Sequence, residues 1–312
     1  MGTALVFPGQ GSQAIGMGQD LADTFPSARL VFEEVDDALS QKLSALMWLG
    51  PEEDLRLTAN TQPALMAHSM AVVRVLEEET GFDLGEQSMM VAGHSLGEYS
   101  ALCAAGAIGL ADTARLLRIR GNAMQAAVPP GEGGMAALIG VDLETAQKAI
   151  DATPGEGVLQ IANDNAPGQV VVSGAKARVE DLVANAKKYG AKMAKSLPVS
   201  APFHCELMAP AAERMSEALS SAEVKPPKVP VTANVTAEPV TSPDEIRRLL
   251  VEQVTGRVRW TESVNAMAAA GVTRFVEVGT GKVLTGLIKR ISKGAELINL
   301  EKPADIEAFA KS

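Results

Sequence analysis

The sequence predicts an α/β protein built on a largely parallel sheet, with a smaller ferredoxin-like unit inserted into it. Two observations carry that prediction. Along most of the 312 residues, short apolar runs alternate with stretches of helical periodicity, the pattern of strands joined by crossover helices. In the middle the order changes. From Met135 it runs strand, helix, strand, strand, helix, strand, which is the βαββαβ arrangement of ferredoxin-like units.

The elements follow in order. "TALVF" (3–7) is a first buried strand, leaving through the glycine-rich turn "FPGQGSQ" (7–13), and residues 18–38 are helical. "QPALMAHSMAVVRVLEEE" (62–79) is a long helix with Pro63 expected in its first turn, where a missing N–H costs nothing. "SMMVA" (88–92) is a short strand running into the turn at Ser95, and 96–106 is the helix after it. A further helix, 110–127, stops at Pro129-Pro130. The inserted unit takes strand 135–139, helix 143–151, strands 158–162 and 169–173, helix 176–188 and strand 191–195. Prolines from Pro198 to Pro202 close it, and the α/β pattern resumes with strands 229–233 and 274–278. The expected organisation is a discontinuous core, 1–129 and 199–312, around an insert at 130–198.

Composition narrows the function. With 46% hydrophobic and 21% charged residues, the chain can bury a sizeable core. No apolar stretch reaches membrane-spanning length, and "MGTALVFPGQG" has no signal-peptide pattern. The net charge of −10 argues against nucleic acid as a partner. Cys103 and Cys205 form neither a disulfide framework nor a zinc spacing, so a reducing cytoplasm is expected, with no metal.

Gly93-His94-Ser95-Leu96-Gly97 fits G-x-S-x-G between a strand and a helix, the setting that lifts a serine hydroxyl above a sheet. A serine becomes a nucleophile when a base takes its proton. Only three histidines compete for that role. His94 neighbours Ser95 and is better placed to support the turn. His68 lies among Leu65, Met66 and Val72 as a core histidine. His204, in the proline-bounded "SAPFHCELMAP", is the expected base. The N–H of Leu96 is one oxyanion donor by the geometry of such turns, and the backbone at Gln10 can offer a second. Residues 9–14 also match the dinucleotide fingerprint G-x-G-x-x-A, but a helix follows where that motif needs a second strand.

Arg120 stands on the wrong face of its helix. Its neighbours at three and four residues' distance are Leu116, Leu117, Ala123 and Met124, whereas Arg115, Arg118 and Asn122 share a polar side. A buried guanidinium needs an acceptor. It is either half of an internal salt bridge or a receptor for a substrate carboxylate.

The ordered set "FPGQGSQ", "TQPAL", "AGHSLGEYSAL", "RG--MQ-AVP", "N-N-PGQVV-SG", "FH--LM-P" and "EVG-GKVL-GL" resembles the malonyl-CoA:acyl-carrier-protein transacylases of fatty acid synthesis over nearly the whole chain. The resemblance implies an α/β-hydrolase-like core with a ferredoxin-like insert. It implies Ser95 as nucleophile, His204 as base, Gln10 and Leu96 as oxyanion donors, and Arg120 as the grip on the malonyl carboxylate. Gln253, in "VEQVTGRVRW", falls where the family orients its histidine through a main-chain carbonyl in place of an aspartate. Asp164 in "ANDNAPG" stands as an alternative third member, and Asn163 matches a site-lining position. Phe203 departs from single-function bacterial members and resembles the malonyl-selective domains of multifunctional synthases.

The expected function is ping-pong transfer of malonyl from malonyl-CoA through a seryl ester to the phosphopantetheine thiol of acyl carrier protein, in a monomer without cofactor. A serine esterase or thioesterase on the same turn is the rival enzyme, and a silent docking domain the rival of another class. Carrier proteins are acidic as a family. Two segments here run against the overall charge, 176–195 with six basic and two acidic residues and 282–293 with four basic residues and no acid, and both are expected to flank the cleft mouth.

Overall fold

β1 (Gly2–Phe7) turns Ala4 and Val6 to one side and Leu5 and Phe7 to the other, and all four are buried. That is the alternation of a strand covered on both faces. The computed structural model describes residues 2–311. β1 pairs in parallel with β2 (Met90–Gly93) and, on its other edge, with β9 (Val272–Val278). β9 pairs in parallel with β10 (Glu296–Leu300), and β2 with β7 (Val231–Thr232). Only β8 (Pro239–Val240) runs antiparallel, against β7, giving the order β10-β9-β1-β2-β7-β8. One core cluster takes Leu5 and Phe7 with the helices Pro26–Leu39, Thr58–Thr80 and Leu110–Ala126; a smaller one takes Ala4 and Val6 with Trp260, Phe275 and Ile288.

A second, wholly antiparallel sheet holds β3 (Gly133–Ile139), β4 (Leu159–Ala166), β5 (Gln169–Ala175) and β6 (Met193–Ser196) in the order β4-β5-β3-β6. Helices Leu143–Ala152 and Lys176–Asn185 pack on it over their own apolar cluster. β4 is stitched to the rest of the chain. Asp164 N–H donates to Val258 O (2.9 Å) and Val258 N–H to Ala162 O (2.8 Å).

Several expectations from sequence need adjusting. The long helix begins at Thr58, not at 62, so Pro63 lies inside it. Its missing N–H forfeits a ladder bond, outweighed by a helix buried along most of its length. Residues 18–38 form two helices, Gln19–Thr24 and Pro26–Leu39, because Phe25 before Pro26 is held extended at φ −119°, ψ 119°. The strand expected over 229–233 shrinks to Val231–Thr232, since Pro230 has no N–H for a ladder.

Candidate active site

The site lies past the carboxyl ends of β1 and β2, where parallel sheets present their loops to ligands. β2 turns into the helix Gly97–Ala104 within the space of three residues. A Cβ on Gly93 would stand 1.9 Å from the Gly97 carbonyl, and one on Gly97 2.3 Å from Phe7 O, so both positions must be glycine. Between them Ser95 adopts φ 53°, a left-handed conformation costly for a side-chain-bearing residue. Asn234 secures it. Its Oδ1 accepts Ser95 N–H (2.7 Å), and its Nδ2 donates to Gly93 O (2.7 Å).

The Ser95 hydroxyl lies 2.7 Å from His204 Nε2. His204 Nδ1 faces two carbonyls, Gln253 O (2.9 Å) and Gly256 O (3.1 Å), which can only accept. The proton therefore sits on Nδ1, and the Nε2 lone pair points at the serine. Among the described residues no aspartate bonds His204; Asp164, the alternative third member, bonds Thr261 Oγ1 at 3.0 Å. Burial, and after it the nearby Arg120 charge, push the imidazole down to about 3.

Arg120 is buried and donates to Gln62 Oε1 (2.7 Å), Gln253 Oε1 (2.9 Å) and Ser95 Oγ (3.2 Å). Among the described residues no carboxylate forms a hydrogen bond with it, and its Nε has no partner at all. The internal salt bridge considered for it is absent from its hydrogen-bond shell. The guanidinium lines a cavity of about 380 Å³ with Gln10, Ser95, Leu96, Asn163, Phe203 and His204. Leu96 and Gln10, both lining the cavity, donate no backbone hydrogen bond among the described residues.

Gln253 is placed differently from a lining residue. It is fully buried behind the cavity wall, with Nε2 donating to Ser95 O (3.0 Å) and Glu98 Oε2 (2.8 Å). His94 supports the turn, its Nε2 on Asn165 Oδ1 (2.7 Å) and its ring edge-on to Trp260. His68 is a core histidine bonded to Glu301 O (3.1 Å). Neither lysine-rich segment contributes to the cavity lining, whose charged members besides Arg120 include Glu52 and Arg56.

Sequence reasoning missed Gln62, Glu98 and Asn234. Glu98 had a signal, a lone charge in the otherwise apolar stretch after Ser95. Gln62 and Asn234 had none, because an amide on a buried helix or in a turn is ordinary until its partners are known.

The chain matches the family model described as "Acyl transferase domain" over residues 4–301. It is 46% identical over 305 residues to the malonyl CoA-acyl carrier protein transacylase of Bacillus subtilis, covering 97% of this chain and 95% of that one. It is 47% identical over 305 residues to the protein of the same name from Escherichia coli, covering 98% and 97%. Among solved structures, the acyl-carrier-protein-S-malonyltransferase of Bartonella henselae superposes with a TM-score of 0.97 at 55% identity over 100% of this chain and 99% of that one. A malonyl-transacylase in complex with its type II polyketide acyl-carrier protein superposes at 0.96 and 42% identity, covering 100% and 99%.

Proposed function

From a chain that belongs to the acyl transferase family, among the malonyl-CoA:acyl-carrier-protein transacylases, we propose a malonyl transfer carried by Ser95, His204 and Arg120. The enzyme moves malonyl from coenzyme A to acyl carrier protein, as its relatives are named for doing. The observation that carries the residue assignment is Arg120, a buried guanidinium without a carboxylate, 3.2 Å from the hydroxyl that His204 contacts.

His204 Nε2 takes the Ser95 proton as Oγ attacks the thioester carbonyl. The tetrahedral oxyanion lies against the N–H groups of Gln10 and Leu96. Its collapse breaks the C–S bond, and His204 returns the proton to the departing coenzyme A sulfur. The carrier protein's phosphopantetheine thiol then attacks the malonyl ester through the same steps in reverse. Every proton is accounted for by His204, so the scheme calls for no metal or redox cofactor. Gln253 orients His204 through its carbonyl and Arg120 through its side chain, while Asn163 and Phe203 shape the wall.

The same reading treats 1–129 with 199–312 as an α/β-hydrolase-like core and 130–198 as a ferredoxin-like insert. The order β4-β5-β3-β6 in a βαββαβ run supports the second. No helix among the described residues is long and apolar enough to cross a membrane, and Cys103 and Cys205 are both free; the reading takes the enzyme as a cytoplasmic monomer.

Arg120→Ala tests the substrate assignment. It should lower malonyl transfer relative to acetyl transfer by roughly 10–150-fold, the worth of a charge-assisted pair that only malonyl forms. The ratio is the readout, since the lost bonds to Gln62 and Gln253 burden both donors alike. Equal losses would make Arg120 a structural residue and sink the assignment.

Docking of the carrier protein should depend on the basic segments. Arg290 is engaged with Gln169 Oε1 and Pro167 O (both 2.6 Å), so reversing it would also disturb the join to the inserted sheet. Lys187 and Lys188 are exposed and make the cleaner test. Reversing both to glutamate should raise KM for carrier protein several-fold at low salt, with malonyl-CoA loading little changed. An unchanged carrier-protein KM would put docking elsewhere.

A further inference from the structure

Two opposite charges lie buried at the centre of this site, Arg120 and Glu98. No hydrogen bond joins them directly. Gln253 stands between, donating from Nε2 to Glu98 Oε2 (2.8 Å) and accepting Arg120 Nη2–H on Oε1 (2.9 Å). The same Glu98 oxygen accepts the Asn234 N–H (3.0 Å), and Asn234 in turn holds the Ser95 N–H. Glu98 therefore anchors both residues that position the nucleophile and its base. The other buried carboxylates among the described residues are committed elsewhere: Asp36 to Ser44, Asp164 to Thr261, and Glu277 to Leu284, Thr285 and Asn299. The resident counter-charge of Arg120 is Glu98.

A second carboxylate changes that balance. When the acyl carboxylate reaches Arg120, one guanidinium faces two buried carboxylates. Like charges sharing a desolvated site drive one of them to hold a proton. Burial already pushes the Glu98 carboxyl up to about 7, against the pull of Asn234, Gln253 and Arg120. Of the other titratable neighbours, Tyr99 is kept neutral by burial and His204 is neutral above its depressed range. The proton thus has one acceptor ready to take it, and the malonyl group, pinned by Arg120, keeps its charge.

We propose that Glu98 is a positioning and specificity-determining residue that binds a proton as a dicarboxylic acyl group enters, so that malonyl loading is linked to proton uptake and acetyl loading is not. The inference rests on Arg120 receiving the acyl carboxylate. One solvent proton adds to a Glu98 carboxylate oxygen, and no other bond changes beyond those of the acyl transfer itself. Coenzyme A release contributes the same protons for either donor and cancels in the comparison.

The test is indicator-dye measurement of proton uptake when the enzyme is mixed with stoichiometric malonyl-CoA or acetyl-CoA in weak buffer. The malonyl-minus-acetyl difference should approach one proton per enzyme at about pH 8 and vanish at about pH 5, where Glu98 is already protonated. KM for malonyl-CoA should rise with pH above about 7, by up to about tenfold per unit, while KM for acetyl-CoA stays flat. Glu98→Gln, which retains the shape and the acceptor oxygen, should abolish the uptake and flatten the malonyl profile. If that variant does not fold, the comparison of donors on the unaltered enzyme stands alone. Equal uptake from both donors while malonyl loads overturns the role of Glu98 and leaves the transferase reading intact. Failure of malonyl to load at all overturns both.

Discussion

Ser95→Ala is expected to abolish the covalent intermediate. Mixing the unaltered enzyme with malonyl-CoA should add one malonyl group, lost again on addition of carrier protein, and the variant should add none. Transfer should fall by roughly 10⁶-fold, the size of effect seen when a serine nucleophile is deleted from a working constellation. Neither cysteine is placed to substitute. The Cys103 thiol is pushed up to about 12 by burial, and Cys205 is buried with its thiol donating to Pro202 O at 3.2 Å. A neutral, buried thiol is a poor nucleophile. Intact-mass analysis decides the matter: an adduct that survives the substitution would move the nucleophile to another residue.

His204→Ala should slow both half-reactions by about 10²–10⁴-fold, the usual contribution of a positioned base. The environment of the ring adds a more specific expectation. A histidine at its ordinary value of 6.5 would lose activity as pH falls through that value, because the protonated ring cannot accept the serine proton. Burial, the larger cause, and the Arg120 charge push His204 down to about 3 in the free enzyme. The burial remains once malonyl pairs with Arg120, so the ring stays unprotonated well below neutrality. The single-turnover rate of malonylation at saturating malonyl-CoA should therefore show no inflection near 6.5 on its acid side. Saturation removes the Glu98-linked change in affinity, which acts through KM. An acid limb centred near 6.5 would mean that water reaches the imidazole and that the buried geometry does not describe the working enzyme.

Much of this protein was determined by its sequence alone, where the constraint is local. A strand covered on both faces must be apolar at successive positions, as β1 is, and a turn with backbone atoms 1.9 Å from a would-be Cβ must carry glycine, as Gly93 does. Those needs leave marks within a few residues, so the parallel sheet, the βαββαβ run and the Ser95 turn were all legible. The wrong-face position of Arg120 was legible too, since helical periodicity exposes a charge among Leu116, Leu117, Ala123 and Met124. What the tertiary structure alone decided is which partners distant segments supply. The carbonyls of Gln253 and Gly256 set the His204 tautomer; the first was expected only through the family resemblance and the second not at all, because every residue has a carbonyl and none marks the sequence. Asp164, chemically the better candidate for that role, is turned to Thr261 instead. Glu98 is joined to Asn234 and Gln253 across 136 and 155 residues of chain. The lone charge of Glu98 in an apolar stretch was visible in the sequence. Its role as the counter-charge of Arg120 was not, because desolvation is a property of the packed interior that no local stretch of sequence contains.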